Sequence, residues 1–385
     1  MSKHDFPAEE FAARQARARE AIGVAGLDWL LVIHPASLHW LIGTEAKSYQ
    51  AFQCLLLSAT LDPLVMFTRL SERCEFVEDS LADEVIGWSG PEPEDPLEAF
   101  RVLVDRLGLR TARVGLETPP YYLHPHHYMR LNAMLGTALV AEPSNLIHAL
   151  KQVKSPREIE LIRESARIAD TAMTAGIAAV TDGRSELQIA AAVYQALLTS
   201  GSSLPASAIN LVTGERCGFA HGAPTLRRLQ RGDPGNMEFG AAYKRYTKTI
   251  GRQFNLGPPS QRVRDIYAVV RTAFDACLAE IHDGVPAIVP HDAAKRVIAD
   301  AGMDRYRLHT TGYSIGAGVP PSWSEPLNMF GGTQDVLRAG MVVSIEPPVF
   351  VAEERIGARI IDNVLVTEFG AELLSKYPLD LLVVD

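Results

Sequence analysis

The segment at 153–158, which reads VKSPRE, separates two stretches of different pattern in this chain of 385 residues. Ser155 is a favourable N-cap, Pro156 suits the first position of a helix, and Glu158 completes a capping box. These signals predict a long helix from residue 156 to about residue 179. Because the chain is long enough for two domains, this helix start predicts domains at 1–150 and 151–385.

The first stretch alternates helical and strand patterns, which indicates a compact α/β domain. Helices are predicted over 8–25, 95–107 and 126–135, and strands over 28–34, 53–58, 64–69 and 112–117. The second and third strands are predicted to form a hairpin around a turn at 61–63. The HPHH run at 124–127 is predicted to start a surface helix, because no carboxylate or cysteine arrangement accompanies it.

The second stretch groups helices with several strand-like segments, which indicates an α+β domain. A second capping box, formed by Ser185 and Gln188, predicts a helix that ends near residue 200. Further helices are predicted over 260–281 and 291–301, and strands over 206–214, 235–243, 246–254, 341–350 and 358–368.

Charge and cysteine content narrow the class of function. The net charge is −9 and no basic run is present, which argues against a nucleic-acid partner. No apolar stretch reaches about 18 residues, so no membrane span is expected. The four cysteines are scattered without a CxxC pair, and the polar N-terminus lacks an apolar signal core. A cytoplasmic protein without disulfides is therefore predicted.

Four segments of the second stretch belong together in order, spacing and content. They are 218–243, which contains AHGAPTLRRLQRGD and MEFG, 246–254, which reads YTKTIGRQF, 308–325, which contains TGYSIG, and 339–368, which contains GMVVSIEP and GARIIDNVLVT. They resemble the pita-bread proteins creatinase, prolidase and aminopeptidase P, and the resemblance covers the whole chain. It implies an α+β pita-bread catalytic domain that follows a smaller N-terminal α/β domain. It also implies an enzyme that forms a homodimer.

The metal-dependent members of that family hold two divalent ions with two aspartates, one histidine and two glutamates. In this sequence the five positions are occupied by Glu238, Thr249, Tyr313, Glu346 and Ile361. Two carboxylates alone do not build a two-metal site. Asp362 follows Ile361, but on a strand its side chain is expected on the opposite face. No catalytic metal and no other cofactor are predicted.

The metal-free members, creatinase and ectoine hydrolase, hydrolyse C–N bonds of small nitrogen-rich solutes, and TGYSIGAGVPPSWSE resembles the ectoine hydrolase branch in particular. The resemblance implies that His221 is the general acid and base. A histidine can deprotonate water and protonate a leaving nitrogen in turn. Glu346 and Glu238 are predicted to converge on a cationic small-molecule substrate, because two close carboxylates without a metal need a cation between them.

Tyr313 and His309 are predicted to contact the substrate. Arg359 is one candidate to bind a substrate carboxylate, and Arg69, reaching from the N-terminal domain of a partner subunit, is another. Each of these residues also has a purely structural interpretation, such as an ion pair or a side chain that fills the former metal space.

Three functions remain open at this point. The leading one is a metal-independent C–N hydrolase for a small zwitterion. The others are an Xaa-Pro peptidase with one weakly held ion and a family member that binds without catalysis. The segments TIG at 249–251 and RIIDN at 359–363 lack the acidic residues expected in creatinase and in ectoine hydrolase, so the substrate is not assigned.

Overall fold

The computed structural model describes residues 3–45, 47–60 and 63–385, and the chain separates into two compact units, Met1–Lys151 and Gln152–Asp385. The second unit begins just before the SPRE segment, where Ser155 and Glu158 form the predicted capping box. None of the helices in the described ranges has the length and apolar character needed to cross a bilayer.

The N-terminal unit is built on a mixed sheet with strand order β4-β3-β2-β1-β5-β6. Its strands span Trp29–Val32 (β1), Cys54–Ser58 (β2), Val65–Arg69 (β3), Glu84–Trp88 (β4), Val114–Leu116 (β5) and Leu139–Ala141 (β6). Its helices span Ala8–Val24 (α1), Pro35–Ile42 (α2), Arg73–Asp79 (α3), Pro96–Arg106 (α4), Pro125–Leu135 (α5) and Leu146–Lys151 (α6).

The predicted hairpin is confirmed, since β2 and β3 pair in antiparallel fashion. Its expected turn at 61–63 includes residues 61 and 62, which lie outside the described ranges. The prediction for the HPHH run is also confirmed, because His124 caps α5 by accepting a hydrogen bond from the backbone N–H of His126. Helix α2 was missed because its eight residues are all buried, so it has no polar face that would mark a helical period.

The C-terminal unit groups helices with a largely antiparallel sheet. Its helices span Pro156–Ala178 (α7), Glu186–Thr199 (α8), Gln261–Ala279 (α9) and Ile288–Asp300 (α10). Its strands span Asn210–Thr213 (β7), Pro234–Tyr243 (β8), Tyr246–Leu256 (β9), Gly312–Val319 (β10), Ser322–Met329 (β11), Val342–Ile345 (β12), Val349–Val351 (β13), Ile356–Ala358 (β14), Asp362–Val366 (β15), Ala371–Leu373 (β16) and Leu382–Val384 (β17).

The large sheet has the order β16-β15-β12-β10-β9-β8-β7, with β11 added to β10 and β17 added to β9. Strands β13 and β14 form a separate pair. The single strand predicted at 341–350 is wrong, because the chain leaves the sheet between β12 and β13 at Glu346-Pro347-Pro348. Prolines lack the N–H that a ladder requires. The segment at 358–368 is likewise divided between β14 and β15.

Alternation along β8 and β9 decides which side chains can form a site. Met237, Phe239 and Ile250 belong to an apolar core that also includes residues of α7 and α8. Because successive side chains on a strand point to opposite faces, Glu238 and Thr249 lie on the other face of this sheet.

Candidate active site

A cavity of about 300 Å³ lies in the C-terminal unit. Its lining includes the sequence-predicted residues His221, Glu238, His309, Tyr313 and Glu346. These residues come from the β7–β8 loop, from β8, from β10 and its preceding segment, and from the end of β12. The tertiary structure therefore collects in one place residues that span more than a hundred positions of sequence.

His221 is exposed and lies in the loop that joins β7 to β8. The loop is held on both sides of His221 by the buried carboxylate of Glu186, in the first turn of α8. This carboxylate accepts hydrogen bonds from the backbone N–H of Thr213 and of Thr225, each over 2.9 Å. Glu186 also contacts the guanidinium of Arg216. Glu186 was not predicted as part of the site, although it directly follows the Ser185 cap in the sequence.

The glycine that follows His221 is required by packing. A Cβ atom on Gly222 would lie 2.1 Å from Cγ1 of Val212. The carbonyl of Gly222 also accepts a hydrogen bond from the backbone N–H of Leu211 over 2.9 Å. The His-Gly pair therefore brings the loop against β7, next to the cavity.

Glu238 is buried, with 4% of its surface exposed, and two neighbours hold its carboxylate. Asn210, its register partner on β7, donates a hydrogen bond to Oε2 over 2.9 Å. The guanidinium of Arg359, which follows β14, forms an ion pair with the same oxygen. A substrate was expected to supply the cation that pairs with Glu238. In the structure Arg359 supplies this cation. Arg359 is not among the residues that line the cavity.

Glu346 is almost fully buried, with 1% of its surface exposed, at the point where β12 ends. Burial raises the pKa of this carboxyl well above its usual range, and the charge of Glu238 raises it further. Arg359 and the hydroxyl groups of Tyr313 and Ser344 act in the opposite direction. The net effect is a raised pKa, so burial extends the pH range over which Glu346 is protonated.

His309 lies between the other two acid–base candidates. Its Nδ1 is 3.5 Å from Oε1 of Glu346, and its ring centroid is 5.2 Å from that of His221. Burial lowers the pKa of His309, and the neighbouring positive charge of Arg359 and His221 lowers it further. A neutral imidazole beside a protonated carboxyl can exchange protons with its neighbours in either direction.

Tyr313 is buried in the wall of the cavity, and its hydroxyl oxygen accepts a hydrogen bond over 2.9 Å from Nε1 of Trp323. Burial raises the pKa of Tyr313, and the carboxyl groups of Glu346 and Glu238 add to the effect. The tyrosine is therefore a neutral hydroxyl in this site. Trp323 and Asn210 were not predicted, because nothing in their local sequence marks them as partners of Tyr313 and Glu238.

The positions that the resemblance assigns to metal ligands do not form a metal site. The backbone N–H of Thr249 donates to Oδ1 of Asn363 over 2.6 Å, and its Oγ1 accepts from Nδ2 of the same residue over 2.8 Å. The side chain of Ile361 packs against Gly251, where an added Cβ would meet it at 2.8 Å. Within the described ranges, no group of three His, Cys, Asp or Glu residues is arranged to hold a metal ion. This donor set does not fit a two-metal centre.

Asp362 points away from the cavity, as the strand alternation predicted. Its carboxylate is buried and lies 2.7 Å from Nζ of Lys248 and 2.7 Å from a guanidinium nitrogen of Arg252. Burial lowers the pKa of Lys248, an effect that Asp362 opposes. The acidic residue next to the former ligand position is therefore committed to a structural ion cluster.

Arg69 lies at the end of β3 in the N-terminal unit. Its guanidinium contacts the hydroxyl of Ser48 and lies 3.3 Å from the carboxylate of Glu72. Its role towards the site of a partner subunit stays a prediction.

Two family profiles match this chain. The description "Metallopeptidase family M24" belongs to a profile that matches residues 160–368, and a "Creatinase/Prolidase N-terminal domain" profile matches residues 14–153. The chain is 32% identical over 238 residues to an Xaa-Pro dipeptidase of Pyrococcus furiosus, which covers 62% of this chain and 67% of the relative. It is 27% identical to the ectoine hydrolase of Halomonas elongata over 98% of both chains.

Among solved structures, the dipeptidase PepE of Mycobacterium ulcerans matches with a TM-score of 0.86 and 29% identity, over 98% of this chain and 99% of that one. Together with the two profiles, this similarity confirms the predicted fold, an α+β pita-bread domain with a creatinase-like N-terminal domain.

Proposed function

The chain belongs to the metallopeptidase family M24 and is a hydrolase of the creatinase and prolidase type, and on this premise we propose that it cleaves a C–N bond without a metal ion. The proposed substrate is a small zwitterionic nitrogen compound. His221 is the proposed general acid and base, and Glu346 and Glu238 are the proposed carboxyl groups of the site.

The observation that carries this proposal is the content of the cavity. It holds His221, His309, Glu238 and Glu346, whereas Thr249, Tyr313 and Ile361 stand at the remaining ligand positions. Such a set is suited to moving protons and is poorly suited to holding two divalent ions.

The reaction requires two proton transfers. His221 removes a proton from water as the water oxygen bonds to the electrophilic carbon, and the electron pair of its C=O or C=N bond moves to the heteroatom. His221 then donates this proton to the leaving nitrogen, which takes the electron pair of the breaking C–N bond, while the pair on the heteroatom returns to re-form the C=O or C=N bond. The carbon thus gains the hydroxyl of water and the nitrogen gains the hydrogen.

The charges of the site support a substrate with both signs of charge. Arg359 neutralises Glu238, and burial favours the protonated form of Glu346. A cationic nitrogen placed beside Glu346 favours its ionisation, and the ionised carboxylate then pairs with the cation of the substrate. A carboxylate at the other end of the substrate needs a basic partner, and Arg69 of a partner subunit remains the proposed candidate.

The test is turnover by enzyme stripped of metal with a chelator. The assay offers ectoine, creatine, acylated diamino acids and Xaa-Pro dipeptides, and hydrolysis of one of the first three is expected. His221→Ala is expected to lower kcat by about 10²- to 10⁴-fold, because it removes the proton carrier. His282→Ala is the matched control, because His282 is an exposed histidine of the same unit that does not line the cavity. Activity that appears only with added manganese, cobalt or zinc contradicts the proposal.

A second candidate function is an Xaa-Pro dipeptidase, which the name of the Pyrococcus furiosus relative favours. It requires at least one ion held by Glu238 and Glu346. Metal analysis of protein purified without chelator separates the two candidates, since the dipeptidase requires stoichiometric metal that increases proline release. Cytoplasmic location and a homodimer are part of the leading proposal, and sedimentation of the purified protein tests the dimer.

A further inference from the structure

The cavity wall formed by the β10–β11 hairpin contains a hydrogen-bonded pair, Tyr313 and Trp323. Tyr313 lies on β10 and Trp323 on β11, and both side chains are buried. The indole Nε1 donates to the tyrosine hydroxyl over 2.9 Å. Both residues also line the cavity, so the pair faces the space available to a substrate.

Trp323 lies against two glycines, Gly240 on β8 and Gly318 on β10. A Cβ on Gly240 would lie 3.2 Å from two carbons of the six-membered ring of Trp323. A Cβ on Gly318 would lie 3.2 Å from Cβ of the same tryptophan. A side chain at either glycine would therefore collide with Trp323, so both positions leave space that the tryptophan occupies. The direction of the indole N–H is marked by its hydrogen bond to Tyr313.

The direction of this hydrogen bond decides what the tyrosine can do. An indole N–H is a donor only, so the hydroxyl oxygen of Tyr313 must act as the acceptor. The single hydroxyl hydrogen is then free to point to another acceptor. The nearby candidate in the free protein is Glu346, because the hydroxyl of Tyr313 lowers the pKa of this carboxyl against the larger effect of burial. Tyr313 remains protonated, because burial raises its pKa.

We propose that Trp323 is a positioning residue that fixes Tyr313 as a hydrogen-bond donor to the oxygen or nitrogen on which negative charge develops in the transition state. This inference rests on the proposed function, since such charge arises when water adds to the carbon of the C–N bond. In the family, the position of Tyr313 is that of a metal ligand. Here a fixed hydroxyl takes over the electrostatic role for which a Lewis acid is otherwise suited.

The substrate class follows from this assignment. The group next to the scissile bond must carry an acceptor, either a carbonyl oxygen or the imine-like nitrogen of an amidine or guanidine, within reach of Tyr313. Simple amines, whose carbon bears no such acceptor, are expected to be neither substrates nor strong inhibitors.

The kinetic experiment is a double-mutant cycle on the metal-stripped enzyme with the substrate found in the screen. Tyr313→Phe is expected to lower kcat by about 10²-fold, as for other single oxyanion donors. Trp323→Phe retains an aromatic ring but removes the donor, and a loss in kcat of about tenfold with KM changed less than about threefold is expected. In the Tyr313→Phe background, Trp323→Phe is expected to change kcat by at most about twofold.

The control is Trp88→Phe, which removes another buried indole donor, bonded over 3.0 Å to the carbonyl of Phe52 in the N-terminal unit. It is expected to leave kcat unchanged. Equal losses from Trp323→Phe in both backgrounds overturn the inference, because the indole then acts independently of the tyrosine hydroxyl.

A second measurement does not depend on turnover. With 3-fluorotyrosine at position 313, the fluorine resonance of the free protein is expected to shift in Trp323→Phe and to stay unchanged in Trp88→Phe. An unshifted resonance in Trp323→Phe refutes the positioning role. If no compound is hydrolysed without metal, the proposed function fails. The fluorine resonance still tests whether Trp323 positions the hydroxyl of Tyr313.

Discussion

Replacement of Glu346 by glutamine tests the charge state of the site through the stability of the protein. Glu346 is 1% exposed, and the closest guanidinium, that of Arg359, is already paired with Glu238. Burial and the charge of Glu238 raise the pKa of Glu346 in the folded protein. In the unfolded chain the carboxyl has an ordinary pKa of about 4.3.

The sign of the effect follows from proton counting. Between the unfolded and folded pKa values, the folded protein binds one more proton at Glu346 than the unfolded chain does. The free energy of unfolding contributed by this group is therefore complete below about pH 4 and falls as the pH rises towards the folded pKa, by up to about 1.4 kcal/mol per pH unit. Glutamine has no such proton. As the pH rises from about 5 towards the folded pKa, Glu346→Gln is thus expected to gain stability relative to wild type, by up to about 1.4 kcal/mol per pH unit.

The assay is urea denaturation of both proteins at several pH values in this range. The relevant quantity is how the difference in free energy of unfolding between the two proteins changes with pH. The altered hydrogen bonds of the amide add the same amount to this difference at every pH. His309 and Tyr313 also titrate near this group, but they are present in both proteins. Glu368→Gln, an exposed position of the same unit, is the control and should show no trend. A difference that is flat with pH, or that grows in favour of wild type, refutes the reasoning.

Two further substitutions test the packing of the site. Arg359→Met leaves the buried carboxylate of Glu238 without its cation, and a loss of about 3 to 5 kcal/mol in the free energy of unfolding is expected from denaturant titration. Adding Glu238→Gln should recover part of that loss, and full additivity of the two changes would contradict the pairing. Gly251→Ala brings a methyl group within 2.8 Å of Ile361. It should cost about 1 to 3 kcal/mol in the same assay, whereas Gly331→Ala, where nothing lies within 4 Å, should be nearly neutral.

Local signals predicted much of the fold. The boxes at Ser155 and Ser185 start α7 and α8 where expected, because a cap depends on residues within one helical turn. Segments without a local signature were missed, such as α2, which is buried on all sides. The strand predicted across Glu346 was too long, because apolar content alone did not reveal that two prolines end the ladder.

The site was also predicted only in part, because motifs identify residues locally but do not identify their partners from distant segments. His221, His309, Tyr313, Glu238 and Glu346 were identified from motifs, and the structure brings them to one cavity. Their partners were not identified by the sequence. Arg359 was one candidate to bind a substrate carboxylate, with an ion pair as the alternative, and it forms an ion pair with Glu238, from which 121 positions of sequence separate it.

By itself, the sequence determined which residue types occupy the former ligand positions, and hence that Thr249 and Ile361 cannot bind metal. The tertiary structure decided the surroundings of the two remaining carboxyl groups and the hydrogen bonding of the Tyr313 hydroxyl. Arg359 forms an ion pair with one carboxylate, burial raises the pKa of the other, and Trp323 donates a hydrogen bond to the hydroxyl of Tyr313. These outcomes depend on which strands are neighbours and in what register, and that arrangement arises only when the whole sheet forms.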